Sequence, residues 1–255
     1  MKYKIVAHTD IGIQKSRNQD AVLLKVAQTD YGDIALGAIC DGMGGLSKGE
    51  LASSTVIRMV SQWFDHSFPE LLYRGLSMET LRASWNHLTF QANSKLYSCG
   101  QQTKSKMGTT MALLLIAGKT YYLCNVGDSR VYCVKEKLTL LTKDQTLVQR
   151  EIDFGRLSYD EARKDSRRNI LLQCIGASSV VKPDYYTGTV ESECIFLLCS
   201  DGFRHVVTEK ELYQSLTPYR LNNELSMKKS LLYLTELNKS RFETDNISAA
   251  LVRVD

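Results

Sequence analysis

Proline is scarce, with three in 255 residues. No Pro-, Gly- or Ser-rich stretch interrupts the chain, so no linker is legible and residues 1–255 read as a single domain. Long apolar runs are missing as well. The longest, Met111–Ala117 and Cys194–Cys199, fall far short of the roughly 20 residues a bilayer-spanning helix needs. Residues 1–10 alternate in polarity and lack the apolar stretch of a signal peptide. No C-x-x-C occurs among the seven cysteines, and the four histidines show no H-x-x-x-H or comparable spacing, so neither a zinc module nor a dithiol redox motif is indicated. An odd number of scattered cysteines, mostly inside apolar runs, reads as core thiols in a reducing compartment, and hence as a cytoplasmic protein. Charge of one sign is lacking too. With 32 basic and 28 acidic residues the net charge is only +4, too slight an excess to argue for a nucleic-acid or membrane partner, and neither is expected. No repeat of solenoid period is present, and nothing demands more than a monomer.

What is present is an ordinary apolar fraction, 44%, enough for a sizeable core. Short Val-, Ile-, Leu-, Tyr- and Cys-rich runs bounded by Gly, Asp or Asn predict strands at 3–8, 21–27, 34–40, 110–116, 120–126, 130–134, 194–199 and 247–254. Between the third and fourth, Leu51, Ala52, Val56, Met59, Val60 and Trp63 share one helical face. Leu81, Trp85, Leu88, Ala92, Leu96 and Cys99 share another. Two more helices are predicted at 209–216 and 226–239. Short turns between neighbouring strands suggest antiparallel sheets, and helices gathered in blocks suggest α+β layering, two sheets between helical layers. The charged stretch 142–190 reads as a surface subdomain, a flap, and its basic cluster Arg163, Lys164, Arg167 and Arg168 as a solvated helix face.

Aspartates recur at strand ends. Asp41-Gly42-Met43-Gly44-Gly45 follows one apolar strand, Ser200-Asp201-Gly202 another, and Gly127-Asp128-Ser129-Arg130 a third. Asn18-Gln19-Asp20 and Asp245-Asn246 each precede a strand. One Asp-Gly pair is an ordinary turn. Five strand-end carboxylates that converge need cations to neutralise them. Carboxylate and carbonyl oxygens are hard ligands, which suit Mg²⁺ or Mn²⁺. His205, four residues after Asp201, is assigned no role.

These motifs, taken in order with Gly12 before them and Met107-Gly108-Thr109-Thr110 among them, resemble the metal-dependent protein phosphatases of the 2C type, in a bacterial-like form. The resemblance runs from about Tyr3 to Val254. Gly155, Glu161-Ala162-Arg163, Arg168-Asn169 and Ile175-Gly176 resemble that family's flap. It implies a four-layer α-β-β-α sandwich and hydrolysis of phosphoserine and phosphothreonine by a metal-activated water. It also implies that Asp41 bridges two Mn²⁺ or Mg²⁺ ions, that Gly42 offers its carbonyl to one, and that Asp201 and Asp245 hold the other. Asp20 would act through a water on the metal, and Asp128 with Asp201 would hold a third ion. The implied partners are phosphorylated proteins and a cognate Ser/Thr kinase. Two positions depart from the pattern. Lys15 stands where the family has a phosphate-gripping Arg, with Arg17 as a nearby substitute, and Gln19 stands where many members have Glu.

Three rivals remain at this stage. Cys124-Asn125-Val126-Gly127-Asp128-Ser129-Arg130 matches the C-x-x-G-x-x-R loop of cysteine-dependent phosphatases, although Leu123 precedes it and a strand rather than a helix follows. A binding module with a weakened site is the second, and a hydrolase of small phosphate esters is the third.

Overall fold

Period-two alternation inside continuous apolar strands builds this fold. The computed structural model describes residues 1–44 and 48–255; Gly45, the last residue of the Asp41 motif, lies outside the described residues. The strands are β1 (Tyr3–Asp10), β2 (Asp20–Thr29), β3 (Gly32–Gly44), β4 (Met107–Thr109), β5 (Met111–Ala117), β6 (Thr120–Val126), β7 (Arg130–Val134), β8 (Leu138–Leu140), β9 (Asp184–Thr189), β10 (Cys194–Cys199) and β11 (Ile247–Val254). The helices are α1 (Lys48–His66), α2 (Phe68–Tyr73), α3 (Met78–Gln102), α4 (Leu147–Asp153), α5 (Tyr159–Lys164), α6 (Glu209–Leu216) and α7 (Glu224–Ser240).

Two antiparallel sheets result. One runs β1-β11-β10-β7-β8, the other β2-β3-β5-β6-β9 with β4 added to β3. In β5, Ala112, Leu114 and Ile116 enter the core between the sheets, while Met111, Leu113 and Leu115 face the core under α1 and α3. In β10, Phe196 and Leu198 point between the sheets, and Ile195, Leu197 and Cys199 point toward α6 and α7. A strand buried on both faces reads as an unbroken apolar run, which is why 111–117 and 194–199 do. The four-layer α-β-β-α sandwich follows directly: helices, sheet, sheet, helices.

The helical faces are close to expectation. Ala52, Val56, Val60 and Trp63 are buried on α1, as are Leu81, Trp85, Leu88, Ala92 and Leu96 on α3. Leu51 is a correction: it is 42% exposed, because burial on α1 centres on Ala52 and Val56 and Leu51 falls outside that stripe. The stretch 142–190 is corrected at its end. Asp184–Thr189 is not surface flap but β9, the edge of the six-stranded sheet, paired along β6. Its half-buried Tyr, Thr and Gly pattern hid it; Gly188 is the gap that Tyr121 of β6 lies over. All seven cysteines are free, and five of them are buried. Among the described residues no helix is long and apolar enough to cross a membrane.

Candidate metal centre

Register brings the first two carboxylates together. Asp20 opens β2 directly opposite Asp41 on β3. Asp41 is held by its backbone. Its N–H donates to Thr110 Oγ1 (2.9 Å), and its carbonyl accepts from Thr110 N–H (2.9 Å) and Thr109 Oγ1 (2.9 Å). Thr110 Oγ1 in turn meets Ser129 Oγ at 2.7 Å. The Met-Gly-Thr-Thr and Gly-Asp-Ser-Arg motifs therefore act in part as the mount for Asp41, a role their spacing did not reveal.

Gly42 is required by close approach. A Cβ there would lie 2.2 Å from Gly49 O and 2.5 Å from Gln19 O. Gly49 is the reciprocal case, since its Cβ would sit 2.7 Å from the Gly42 carbonyl. The start of α1 thus packs on the Asp41 turn with no side chain between. Gly12, at φ +77°, similarly passes over Asp245, where a Cβ would meet the Asp245 carbonyl at 2.3 Å.

Asn246 staples the loop before β2 to the strand β11. Its Nδ2 donates to Ile11 O (2.9 Å) and Arg17 O (3.1 Å), and its Oδ1 accepts from Gln19 N–H (2.8 Å). This clamp aligns Asp245 with Asp20. The carboxylate of Asp245 is met by Lys15 Nζ at 2.8 Å. Burial works against the Lys15 charge, but the Asp245 hydrogen bond and charge, aided by Asp41 and Asp201, hold its pKa above the usual value. Arg17 is directed elsewhere, 3.2 Å from Glu50.

The electrostatics of the group are those of crowded carboxylates. Burial raises the Asp41 pKa well above the ordinary range, with Asp20, Asp201, Asp128 and Asp245 adding to it. Burial also pushes Asp20 up to about 7, supported by Asp201 and Asp245 and opposed by the neighbouring Ser248 and Ser200 hydroxyls. Those hydroxyls are engaged with Thr9 and with the Ser248 carbonyl. Both side-chain oxygens of Asp20 and the Oδ1 of Asp201 are buried without a well-formed hydrogen bond. Orphaned carboxylate oxygens are costly unless a cation or proton meets them. Among the described residues no three His, Cys, Asp or Glu side chains are already closed to metal-ligand geometry. The donor set nonetheless fits divalent ions, being oxygen only, acidic and otherwise unsatisfied.

Asp128 lines a cleft of ≈ 1080 Å³ that runs along α4 and α5 and is also lined by Arg163, Arg168, Arg204 and His205. Arg167 is paired with Asp165 at 2.7 Å, on the exposed side of the flap. His205, given no role from sequence, lies between Asp201 Oδ2 (3.4 Å) and Glu243 Oε2 (3.5 Å).

The cysteine-loop alternative is excluded. Cys124 is fully buried in β6, and burial raises its thiol pKa. Arg130 is bound through Nε and Nη2 to both oxygens of Asp144, 2.8 Å each, and does not face a phosphate cradle.

Strand-end carboxylates at the rim of a β-sandwich make an oxygen-only donor set of the kind that holds divalent cations in metal-dependent hydrolases. The family follows from comparison with known proteins. The family model for protein phosphatase 2C matches residues 12–237. The Listeria monocytogenes serine/threonine phosphatase stp is 32% identical over 221 residues, 85% of this chain and 83% of its own. The S. agalactiae serine/threonine phosphatase has a solved structure that superposes with a TM-score of 0.85 at 30% identity, covering 100% of both chains. The catalytic domain of the serine/threonine protein phosphatase PstP, solved in complex with two manganese ions, superposes with a TM-score of 0.79 at 27% identity, covering 99% of each chain. The chain belongs to the protein phosphatase 2C family, and it is a protein phosphatase with that family's fold.

Proposed function

We propose that the chain hydrolyses phosphoserine and phosphothreonine in proteins, using two divalent ions, Mn²⁺ or Mg²⁺. One observation carries the reading: buried, unpartnered oxygens on Asp20 and Asp201 within a group of carboxylates centred on Asp41. In this reading Asp41, the Gly42 carbonyl, Asp201 and Asp245 would hold the ions. Bound ions of this kind lower the pKa of a water toward neutrality and offset charge on the phosphoryl oxygens. Asp20, directly across the ladder from Asp41, would act through a water on the metal. Direct hydrolysis needs no protein nucleophile, in keeping with the burial of Cys124. The chain would act as one catalytic unit, a cytoplasmic monomer opposing a cognate Ser/Thr kinase.

Lys15 is assigned to the substrate phosphate. Lys15 reaches Asp245, whereas Arg17 is paired with Glu50. As a point charge it grips without a fork. Lys15→Met is expected to raise KM for a phosphothreonine peptide about 10- to 100-fold, the scale of one charge-assisted hydrogen bond, with a smaller change in kcat. An unchanged KM, with a raised one in Arg17→Met, would transfer the role to Arg17.

The decisive assay is hydrolysis of a phosphothreonine peptide with Mn²⁺, with Mg²⁺ and with chelator. Activity should require metal and should survive Cys124→Ser within about threefold, since a buried Cys→Ser change acts on packing and not on chemistry. Activity that persists in chelator would refute the reading. A folded protein inactive with either metal would leave a binding module.

A further inference from the structure

The family resemblance implies a third ion held by Asp128 and Asp201. Building on the two-ion reading above, the geometry points to another occupant: we propose that the Arg204 guanidinium is the built-in third cation of this centre, so that the chain binds two divalent ions and not three.

Arg204 follows the short turn Asp201–Phe203, and its N–H donates back to the Asp201 carbonyl at 2.9 Å. The side chain is only 12% exposed. Its Nη2 donates to the Asp128 carbonyl at 3.0 Å and lies 3.4 Å from Asp144 Oδ2 and 4.0 Å from Asp128 Oδ2. Asp144 is meanwhile gripped through both oxygens by Arg130. Two guanidinium charges therefore face two carboxylates, Asp144 and Asp128, and the network is neutral as it stands.

A divalent ion on Asp128 would bring two more positive charges beside a buried guanidinium that has no accessible neutral form. In surroundings of low effective dielectric that repulsion is strong, and Asp128 alone does not offset it. Asp201 is partly committed as well. One of its oxygens is met by the His205 ring, while Oδ1, buried and unpartnered, remains for an ion shared with the Asp41 group. Arg204 thus acts as a positioning residue. It fixes Asp128 and the carboxylate wall beside the two-ion site with a cation that does not exchange with solvent, so this corner of the centre is indifferent to ambient metal.

The test counts ions. Chelator-stripped protein is titrated with Mn²⁺ by calorimetry, and bound manganese is measured after dialysis. Wild type should bind two ions per chain. Asp128→Asn should still bind two, with affinities changed by no more than about threefold. Arg204→Gln should gain a third, weaker ion that disappears again in the double variant with Asp128→Asn. Three ions in wild type, or loss of any ion in Asp128→Asn, would overturn the proposal. So would an Arg204→Gln protein that folds by circular dichroism and still binds two. If Arg204→Gln does not fold, wild type and Asp128→Asn decide alone. A folded wild-type chain that binds no Mn²⁺ would instead sink the two-ion reading on which the proposal rests.

Discussion

Asp41→Asn is expected to cut hydrolysis of a phosphothreonine peptide by at least about 1000-fold, the scale on which removing a principal electrostatic group of a hydrolytic site acts. The amide is close in shape, so packing is preserved. It lacks the negative charge that the reading gives to both ions, and its backbone is pinned by Thr109 and Thr110, so no neighbour swings into its place. The same substitution should raise the melting temperature of the metal-free protein by a few degrees, about 1 kcal/mol or more. Burial and four other carboxylates make the Asp41 charge unfavourable in the folded chain, and asparagine removes it. Lost activity with gained metal-free stability separates a site that holds cations from a merely structural aspartate, whose loss would lower both. Parallel titration with Mn²⁺ should show the gain in melting temperature from metal, large in wild type, nearly abolished in the variant.

How much of this was legible in the sequence depends on what each residue does. Strand positions were readable because both sheets are covered on both faces, so β3, β5, β10 and β11 are near-continuous apolar runs that only burial explains. The elements that escaped, β4, β8, β9 and α2, are three to six residues long, too short for any period to be expressed. At the site the carboxylates were found through their recurrence at strand ends. Their supports were not. Thr109 and Thr110 work through hydroxyls that hold a backbone about 70 residues earlier in the chain, Ser129 works through the Thr110 hydroxyl, and Asn246 clamps residues 227 to 235 positions away. Such contacts leave no local pattern. Arg204 and His205 were passed over for the same reason, since their partners Asp128, Asp144 and Glu243 are brought near only by the sandwich. The choice between Lys15 and Arg17 turned on which way each side chain leaves the loop. Spacing cannot give that; in the structure Lys15 leans on Asp245 and Arg17 on Glu50.

Without metal, the protein should lose stability as pH rises from about 4 to about 7, and with saturating Mn²⁺ that slope should vanish or reverse. The sign follows from linkage. An unfolded carboxyl titrates near 4, while Asp20 and Asp128 in the folded chain are raised to about 7 and Asp41 is raised as well. Between those values the folded chain holds more protons than the unfolded one, so the unfolding free energy falls with each unit of pH. Below about 4 both states are protonated and these groups contribute no slope; above the folded values both are ionised and the loss is complete. His205 acts in the same direction. Its pKa is raised because the Glu243 hydrogen bond and the Asp201 charge outweigh burial, so the stability it adds at low pH is also lost as pH rises through its folded value. Carboxyls lowered by their partners, Asp10, Asp144 and Glu243, stabilise in the opposite sense, but their contribution is already complete near pH 5. Divalent ions would offset the charges of Asp20 and Asp41 in place of protons, so their affinity grows over the same interval and stabilisation by mass action grows with it. Melting curves from pH 4 to 8, with chelator and with Mn²⁺, should therefore diverge, the metal-free curve falling by at least about 5 °C. A metal-free curve that is flat from pH 4 to 7 would mean that these carboxylates do not crowd one another in the folded chain, and the electrostatic case for a cation centre at Asp41 would fall with it.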